Sequence, residues 1–95
     1  DDIPLLALTN HLVVGFTERQ YVGQELVPMV GREALRTHVR AKLDGVPREL
    51  LIVVLKKNGC VFDFVLVAPD PERLDAEIGA FETMLRGFEM VRRTR

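Results

Sequence analysis

The sequence predicts an α+β domain: an N-terminal helix, an antiparallel β-sheet of about four strands and a C-terminal helix, with both helices packed on the sheet. Three patterns predict this fold. Two β-rich runs flank Asn58-Gly59, a strictly alternating run covers residues 32–45, and an amphipathic helical pattern covers residues 71–87. Ninety-five residues with 47% hydrophobic content suffice for one hydrophobic core, so we expect a single domain over residues 1–95.

The first helix is predicted within residues 1–14, "DDIPLLALTNHLVV". Asp2 can cap its first turn, where Pro4 is also favoured. Its apolar stripe is formed by Leu5, Leu8 and Leu12. A hairpin turn at Thr9-Asn10 is the alternative that these residues leave open.

Residues 19–29, "RQYVGQELVPM", are predicted to form the first strand, and Val30-Gly31 the turn that ends it. Pro28 has no backbone N–H to donate, so this strand should lie at an edge of the sheet. An edge strand offers unpaired backbone groups to another chain. We therefore expect that the chain can form a homodimer through the edge strand near Pro28.

The second strand alternates over residues 32–45 and should be half exposed. Its apolar side carries Leu35, Thr37, Val39, Ala41 and Leu43. The turn after it, Asp44-Gly45, allows two registers. A two-residue loop would place the apolar side opposite Val54 and Ile52, whereas a three-residue loop with Gly45 as a left-handed bulge would place it opposite Val53 and Leu51. We expect the bulge, because it gathers the apolar residues of three strands on one face.

Asn58-Gly59 within residues 50–67 is the strongest local signal, since both residues readily adopt the positive φ angles of a type I′ turn. A two-residue loop predicts four pairs on one largely apolar face. They are Lys57 with Cys60, Leu55 with Phe62, Val53 with Phe64 and Leu51 with Leu66. Asp63 then lies on the other, less apolar face.

The closing helix is predicted to begin with Asp70 as its cap and Pro71 at its first position. Gly87 should end it in a left-handed conformation. The stripe expected to cover the sheet consists of Leu74, Ile78, Phe81, Leu85 and Phe88.

Composition argues against several classes of function. Thirteen Lys and Arg against fourteen Asp and Glu give a formal net charge of −1, which provides no long-range attraction for nucleic acid. No apolar run approaches the roughly 20 residues that span a bilayer. Cys60, His11 and His38 do not make a ligand set at zinc spacing, so we expect no metal and no cofactor.

A catalytic thiol would need a base within hydrogen-bonding reach of Cys60. In the bulged register the side chain of His38 lies on the face of the sheet opposite Cys60. We therefore expect no catalytic site and no enzyme activity. Asp63, between two phenylalanines, is interpreted as a strand aspartate that is hydrated or balanced by Arg36 or Lys56.

The candidate binding residues form a row of basic side chains along the second strand, which we call the basic row: Arg36, His38, Arg40 and Lys42. Such a row could hold a phosphate, an anionic lipid or an acidic partner. It lacks the exposed aromatic residues with which sheets stack nucleic-acid bases. A solvated strand face is the plainer interpretation, and Glu49 can neutralise part of it.

Residues 31–90 resemble the PsbP-like and DcrB-like domains of bacterial envelope lipoproteins. The matching segments are "GREALRTHVRAKLDGVPRELLIVVLKKNGCVFDFVLVAP" and "FETMLRGFEM". The matching positions are Gly31, Ala34, Phe62, Asp63, Pro69, Phe81 and Phe88. The resemblance implies an antiparallel sheet flanked by helices, a periplasmic or membrane-anchored location, and binding of other proteins without a shared catalytic centre. A membrane tether would then be supplied by an upstream segment missing from this sequence.

The expected function is therefore that of a non-catalytic protein-interaction or structural module, part of a bacterial envelope lipoprotein. The alternative is a binding domain for an anionic ligand or acidic partner that uses the basic row.

Overall fold

The computed structural model describes the backbone of residues 4–93 and the side chains of residues 4–87. Its elements are α1 (Leu5–Leu12), β1 (Thr17–Met29), β2 (Arg32–Leu43), β3 (Val46–Lys57), β4 (Cys60–Ala68) and α2 (Pro71–Arg93). The strands form one antiparallel sheet in the order β1-β2-β3-β4. The predicted α+β fold is confirmed, and β1 is an edge strand, as Pro28 indicated.

Tight turns join the strands. Val30-Gly31, Asp44-Gly45 and Asn58-Gly59 each have positive φ angles at both residues, between 45° and 79°. Two successive positive φ angles define a type I′ turn, whose twist matches that of the flanking strands. The Asn58-Gly59 hairpin has the predicted register, since Leu55 lies opposite Phe62 and Val53 opposite Phe64.

The predicted bulge after β2 is wrong. Leu43 pairs with Val46 across a two-residue turn, so that Thr37 lies opposite Ile52. The physical reason is that β3 is buried on both faces, with every residue from Leu50 to Leu55 buried. The apolar side of β2 therefore finds a buried face in this register too, and the tighter turn needs no bulge.

The two helices cover opposite faces of the sheet. On one face, α1 packs through Leu5, Leu8 and Leu12 against a cluster that includes Val39, Leu50, Ile52 and Val54. On the other face, α2 packs through Leu74 and Phe81 against a cluster that includes Leu51, Val53 and Leu55. Successive side chains of a strand point to opposite faces, so β3 contributes to both cores.

The predicted helix α1 forms, with Pro4 at its N-cap position and not in its first turn, and the hairpin turn at Thr9-Asn10 does not form. Thr9 is fully buried, and its hydroxyl donates a hydrogen bond of 2.9 Å to the Leu5 carbonyl. The Tyr21 hydroxyl lies 3.1 Å from Asn10 Oδ1 and so joins β1 to α1. Asp2, the expected cap, lies outside the described residues.

The helix α2 begins as predicted but ends later. The Arg73 backbone N–H donates to Asp70 Oδ1 at 2.8 Å, which makes Asp70 the cap. The predicted end at Gly87 is wrong, because the helix continues to Arg93. Glycine permits a left-handed end without requiring it. The side chain of Phe88, the last predicted stripe residue, lies outside the described side chains.

We expect Phe81→Ala to lower the free energy of unfolding by about 3–5 kcal/mol, because it leaves a cavity where a buried ring was. Phe81 is 6% exposed, whereas Thr83 on the same helix is exposed. Thr83→Ala is the control, with an expected change within about 0.5 kcal/mol. Urea denaturation measures both variants, and equal losses would contradict the packing of α2 on the sheet.

Candidate functional site

The basic row lies on β2 and faces the α2 side of the sheet. The bulged register would have placed it on the face opposite the phenylalanines, and the structure shows the other face. The two-residue turn places His38 opposite Leu51, and Leu51 lies opposite Leu66 on the phenylalanine face. A shift of register by one residue exchanges the two faces of a strand. The basic row therefore runs beside α2.

The two ends of the basic row form ion pairs with other elements. Arg36 Nη1 lies 2.7 Å from Glu82 Oε2, so this pair joins β2 to α2. Lys42 Nζ lies 3.3 Å from Glu18 Oε1. Glu18 has a φ of 50° and sits where the register of β1 shifts. Both pairs are partly exposed to solvent, where such pairs contribute at most about 1 kcal/mol.

The centre of the basic row is built around Glu49, which is only 3% exposed. Its Oε1 lies 2.6 Å from His38 Nε2, and its Oε2 accepts a hydrogen bond of 2.5 Å from Arg40 Nε. Burial by itself would raise the pKa of Glu49. The hydrogen bonds and positive charges of Arg40 and His38 outweigh burial and lower that pKa below its usual value of 4.5. The prediction that Glu49 neutralises part of the row is confirmed.

A cleft of about 380 Å³ lies between α2 and the β1–β2 side of the sheet. Its two basic groups are Arg36 and His38, which contact Glu82 and Glu49 respectively. An anion in this cleft would therefore have to displace a carboxylate. The cleft is lined by Gly23, Gln24, Glu25, Arg36, His38, Leu51, Leu74, Asp75 and Ile78.

Cys60 is exposed at the start of β4 and lies on the same face as His38, which corrects the expectation that they occupy opposite faces. The two residues are nevertheless far apart along the strands. Cys60 pairs with Lys57, whereas His38 pairs with Leu51. Six residues of β3 separate these positions, or about 20 Å. This separation leaves His38 out of reach as a base for the thiol.

Asp63 is exposed on the α1 side of β4. Arg36, expected as one possible counter-ion, lies on the opposite face and contacts Glu82. The pairing with Arg36 is therefore wrong. Lys56, the other expected counter-ion, lies on the same face as Asp63, and hydration is also consistent with the exposure of Asp63.

The strand β4, "CVFDFVLVA", forms an exposed edge of the sheet that is largely apolar. It is an edge strand with one charged residue, and Ala68 is its only buried residue. The exposed valines Val61, Val65 and Val67 are 43–48% exposed and share the α1 side of the sheet. Edge strands of soluble proteins usually carry charges, prolines or bulges that discourage pairing with another chain. β4 has neither proline nor bulge, and its register against β3 is continuous.

The backbone of β4 also presents hydrogen-bonding groups to its outer side. In a type I′ turn the residues that flank the loop form a hydrogen-bonded pair, here Lys57 and Cys60. Bonded and non-bonded pairs then alternate along the ladder. The N–H and C=O groups that point away from β3 therefore belong to Val61, Asp63, Val65 and Val67. Within the part of the chain that the structure describes, no strand pairs with this edge.

The other edge of the sheet is protected. The strand β1 has two register shifts, between Thr17 and Gln20 and between Tyr21 and Gly23. Counting from the Val30-Gly31 turn, Pro28 occupies an outward position, where its missing N–H interrupts the outer row of donors. A partner strand would therefore find a more regular edge on β4 than on β1.

Sequence reasoning did not identify the β4 edge, although two signals for it were present. The last strand of a meander lies at an edge, and "CVFDFVLVA" carries a single charge. Among the side chains that the structure describes, those of residues 4–87, no group of three or more His, Cys, Asp or Glu is arranged to hold a metal ion. Within the described part of the chain, no helix combines the length and the apolar character that a membrane crossing requires.

Comparisons of the chain with protein-family models, curated proteins and solved structures found no match. The resemblance to PsbP-like and DcrB-like domains stays a prediction.

We expect Glu49→Gln to lower the free energy of unfolding at pH 7 by about 1–3 kcal/mol, because it weakens two charge-assisted hydrogen bonds at a buried position. A depressed folded-state pKa stabilises the protein above the unfolded-state pKa, near 4.5, and this contribution is lost as the pH falls through the lowered value. The difference between wild type and variant should therefore shrink below pH 4.5. Denaturation at a series of pH values measures this.

Glu82→Gln is the matched control for that experiment, since Glu82 is 39% exposed and pairs with a single arginine. We expect it to cost less than about 1 kcal/mol. A Glu49→Gln difference that is small at pH 7, or that grows as the pH falls, would contradict the assigned role of Glu49.

Proposed function

We propose that this chain is a non-catalytic protein-interaction module that binds an extended protein segment along the outer edge of β4. The observation that carries the proposal is the combination of outward backbone groups and exposed valines on a continuous, nearly uncharged edge strand. Addition of a strand to a sheet edge is a general mode of peptide recognition, in which backbone hydrogen bonds supply affinity and alternate side chains supply specificity.

The geometry around the other candidate residues is consistent with a non-catalytic role. A carboxylate contacts each side chain of the basic row, namely Arg36, His38, Arg40 and Lys42. Ion pairs of this kind often have a structural role. The alternative of an anion-binding domain is therefore less well supported than binding at the β4 edge.

We further propose that the module belongs to a bacterial envelope lipoprotein. The support is the resemblance of residues 31–90 to PsbP-like and DcrB-like domains, which also implies binding of proteins. The sequence of the full precursor tests this part. We expect an export leader followed by a lipid-accepting cysteine, and a precursor without an export signal would overturn it.

Peptides selected from a random library against the dilute protein test binding at the β4 edge. We expect the selected peptides to carry apolar residues at every second position, because these side chains must pack beside the exposed valines. Val65→Pro should abolish their binding, since it removes an outward N–H and places a ring at the edge. Fluorescence anisotropy with labelled peptides measures the affinity.

Two variants serve as controls. Leu26→Pro makes the same change at an outward position of β1, where Leu26 is 56% exposed. Cys60→Ala removes the thiol without touching an outward backbone group. We expect both to bind the peptides as wild type does. Peptides that bind Val65→Pro unchanged, or that lose binding with Cys60→Ala, would overturn the proposed site.

A further inference from the structure

The sequence of β4 is complementary to itself in an antiparallel arrangement. If two β4 strands pair about a two-fold axis at Phe64, all nine residues of each strand overlap. Phe64 of one copy then faces Phe64 of the other, and Phe62 faces Leu66 of the other. On the opposite face of the sheet, Val61 of one copy faces Val67 of the other. Aromatic and β-branched cross-strand pairs of this kind stabilise antiparallel sheets.

The single charge in β4 is compatible with this register. Asp63 of one copy faces Val65 of the other, so the two carboxylates are not directly opposed. A two-fold axis at Asp63 would oppose them, which disfavours that register. Asp63 lies on the α1 side, where it is exposed in the single chain. A strand added in the plane of the sheet leaves that face open, so Asp63 keeps its contact with water.

The flank of α2 that faces the β4 edge is also suited to a second copy. Asp75 and Glu82 line clefts toward β1, so the opposite flank lies toward the outer edge of β4. That flank carries Ala80, Met84 and the ion pair between Arg73 and Glu77, whose charges compensate each other. Met84 is 49% exposed and Ala80 is exposed. Pairing about β4 would bring the two α2 helices side by side, where a small residue allows close approach and an exposed methionine gains apolar contact.

We propose that the occupant of the β4 edge is β4 of a second copy of this chain, which joins two four-stranded sheets into one sheet of eight strands. This inference rests on the proposed function, because it uses the same edge. A net charge of −1 gives little repulsion between copies. The expected homodimer through the edge near Pro28 uses β1 instead and stays a separate prediction.

Sedimentation equilibrium over a wide concentration series tests the proposal. We expect twice the mass of the chain for wild type and for Leu26→Pro, and the mass of a single chain for Val65→Pro. Circular dichroism and thermal unfolding establish that each variant is folded. If Val65→Pro does not fold, Val65→Lys replaces it with Leu26→Lys as its control, because a lysine on an edge discourages pairing without constraining the backbone.

Amide hydrogen exchange locates the interface. The amides of Phe62, Phe64 and Leu66 point toward β3 and should be protected in both monomer and dimer. The amides of Val61, Asp63, Val65 and Val67 should become protected only at concentrations where the dimer forms. Protection that is unchanged at these four positions while the mass doubles would assign the dimer to another surface and overturn the inference.

The remaining outcomes separate this inference from the proposed function. In one outcome, the protein stays monomeric at every concentration, and selected peptides bind wild type but not Val65→Pro. This result would overturn the proposal of a second copy at the β4 edge and would still support the interaction module. A monomer that binds no selected peptide overturns both. A dimer that dissociates with Leu26→Pro and persists with Val65→Pro overturns the inference in favour of the β1 edge.

Discussion

The register of β2 against β3 is the constraint on which the rest of the structure depends. The turn at Asp44-Gly45 contains two residues with positive φ, so Leu43 pairs with Val46 and each residue of β2 is assigned to one face. A shift by one residue would exchange those faces. In the observed register the apolar side of β2 joins the core beneath α1, and its basic side joins the face that α2 covers. Each face then has apolar residues that a helix must cover. The helix α1 precedes the four strands in the chain and covers one face, and α2 follows them and covers the other.

This register also explains why the side chains of the basic row form ion pairs within the fold. Beside α2, the side chains of Arg36 and His38 are partly removed from water, and polar groups in such a position usually have a partner. Glu49 supplies that partner for His38 and Arg40 from the neighbouring strand. The helix α2 supplies Glu82 for Arg36 and in this way is joined to the sheet by an ion pair as well as by its apolar stripe. With these charges compensated internally, the surface that we propose for binding is β4, where apolar side chains and backbone groups are exposed together.

Much of the fold could be predicted because its signals are local. Asn58 and Gly59 both readily adopt the positive φ angles of a type I′ turn, and Asp70 and Pro71 favour the start of a helix. The alternation of apolar and polar residues in β2 predicts a strand whichever register it adopts. The β2–β3 register could not be predicted from Asp44-Gly45, because that pair suits both a two-residue turn and a bulge. The deciding information was in β3, where an unbroken apolar run from Leu50 to Leu55 indicates burial on both faces. The ion pair between Arg36 and Glu82 depends on how α2 crosses the sheet, which sequence periodicity does not determine.

The most direct test of this account is the cross-strand pattern of nuclear Overhauser effects between α-protons of β2 and β3. These protons approach closely only in the non-hydrogen-bonded pairs of an antiparallel ladder. The two-residue turn predicts contacts between Arg40 and Glu49, between His38 and Leu51, and between Arg36 and Val53. Contacts between Arg40 and Leu50 and between His38 and Ile52, the non-hydrogen-bonded pairs of the bulged register, would show that register instead and would contradict the placement of the basic row beside α2.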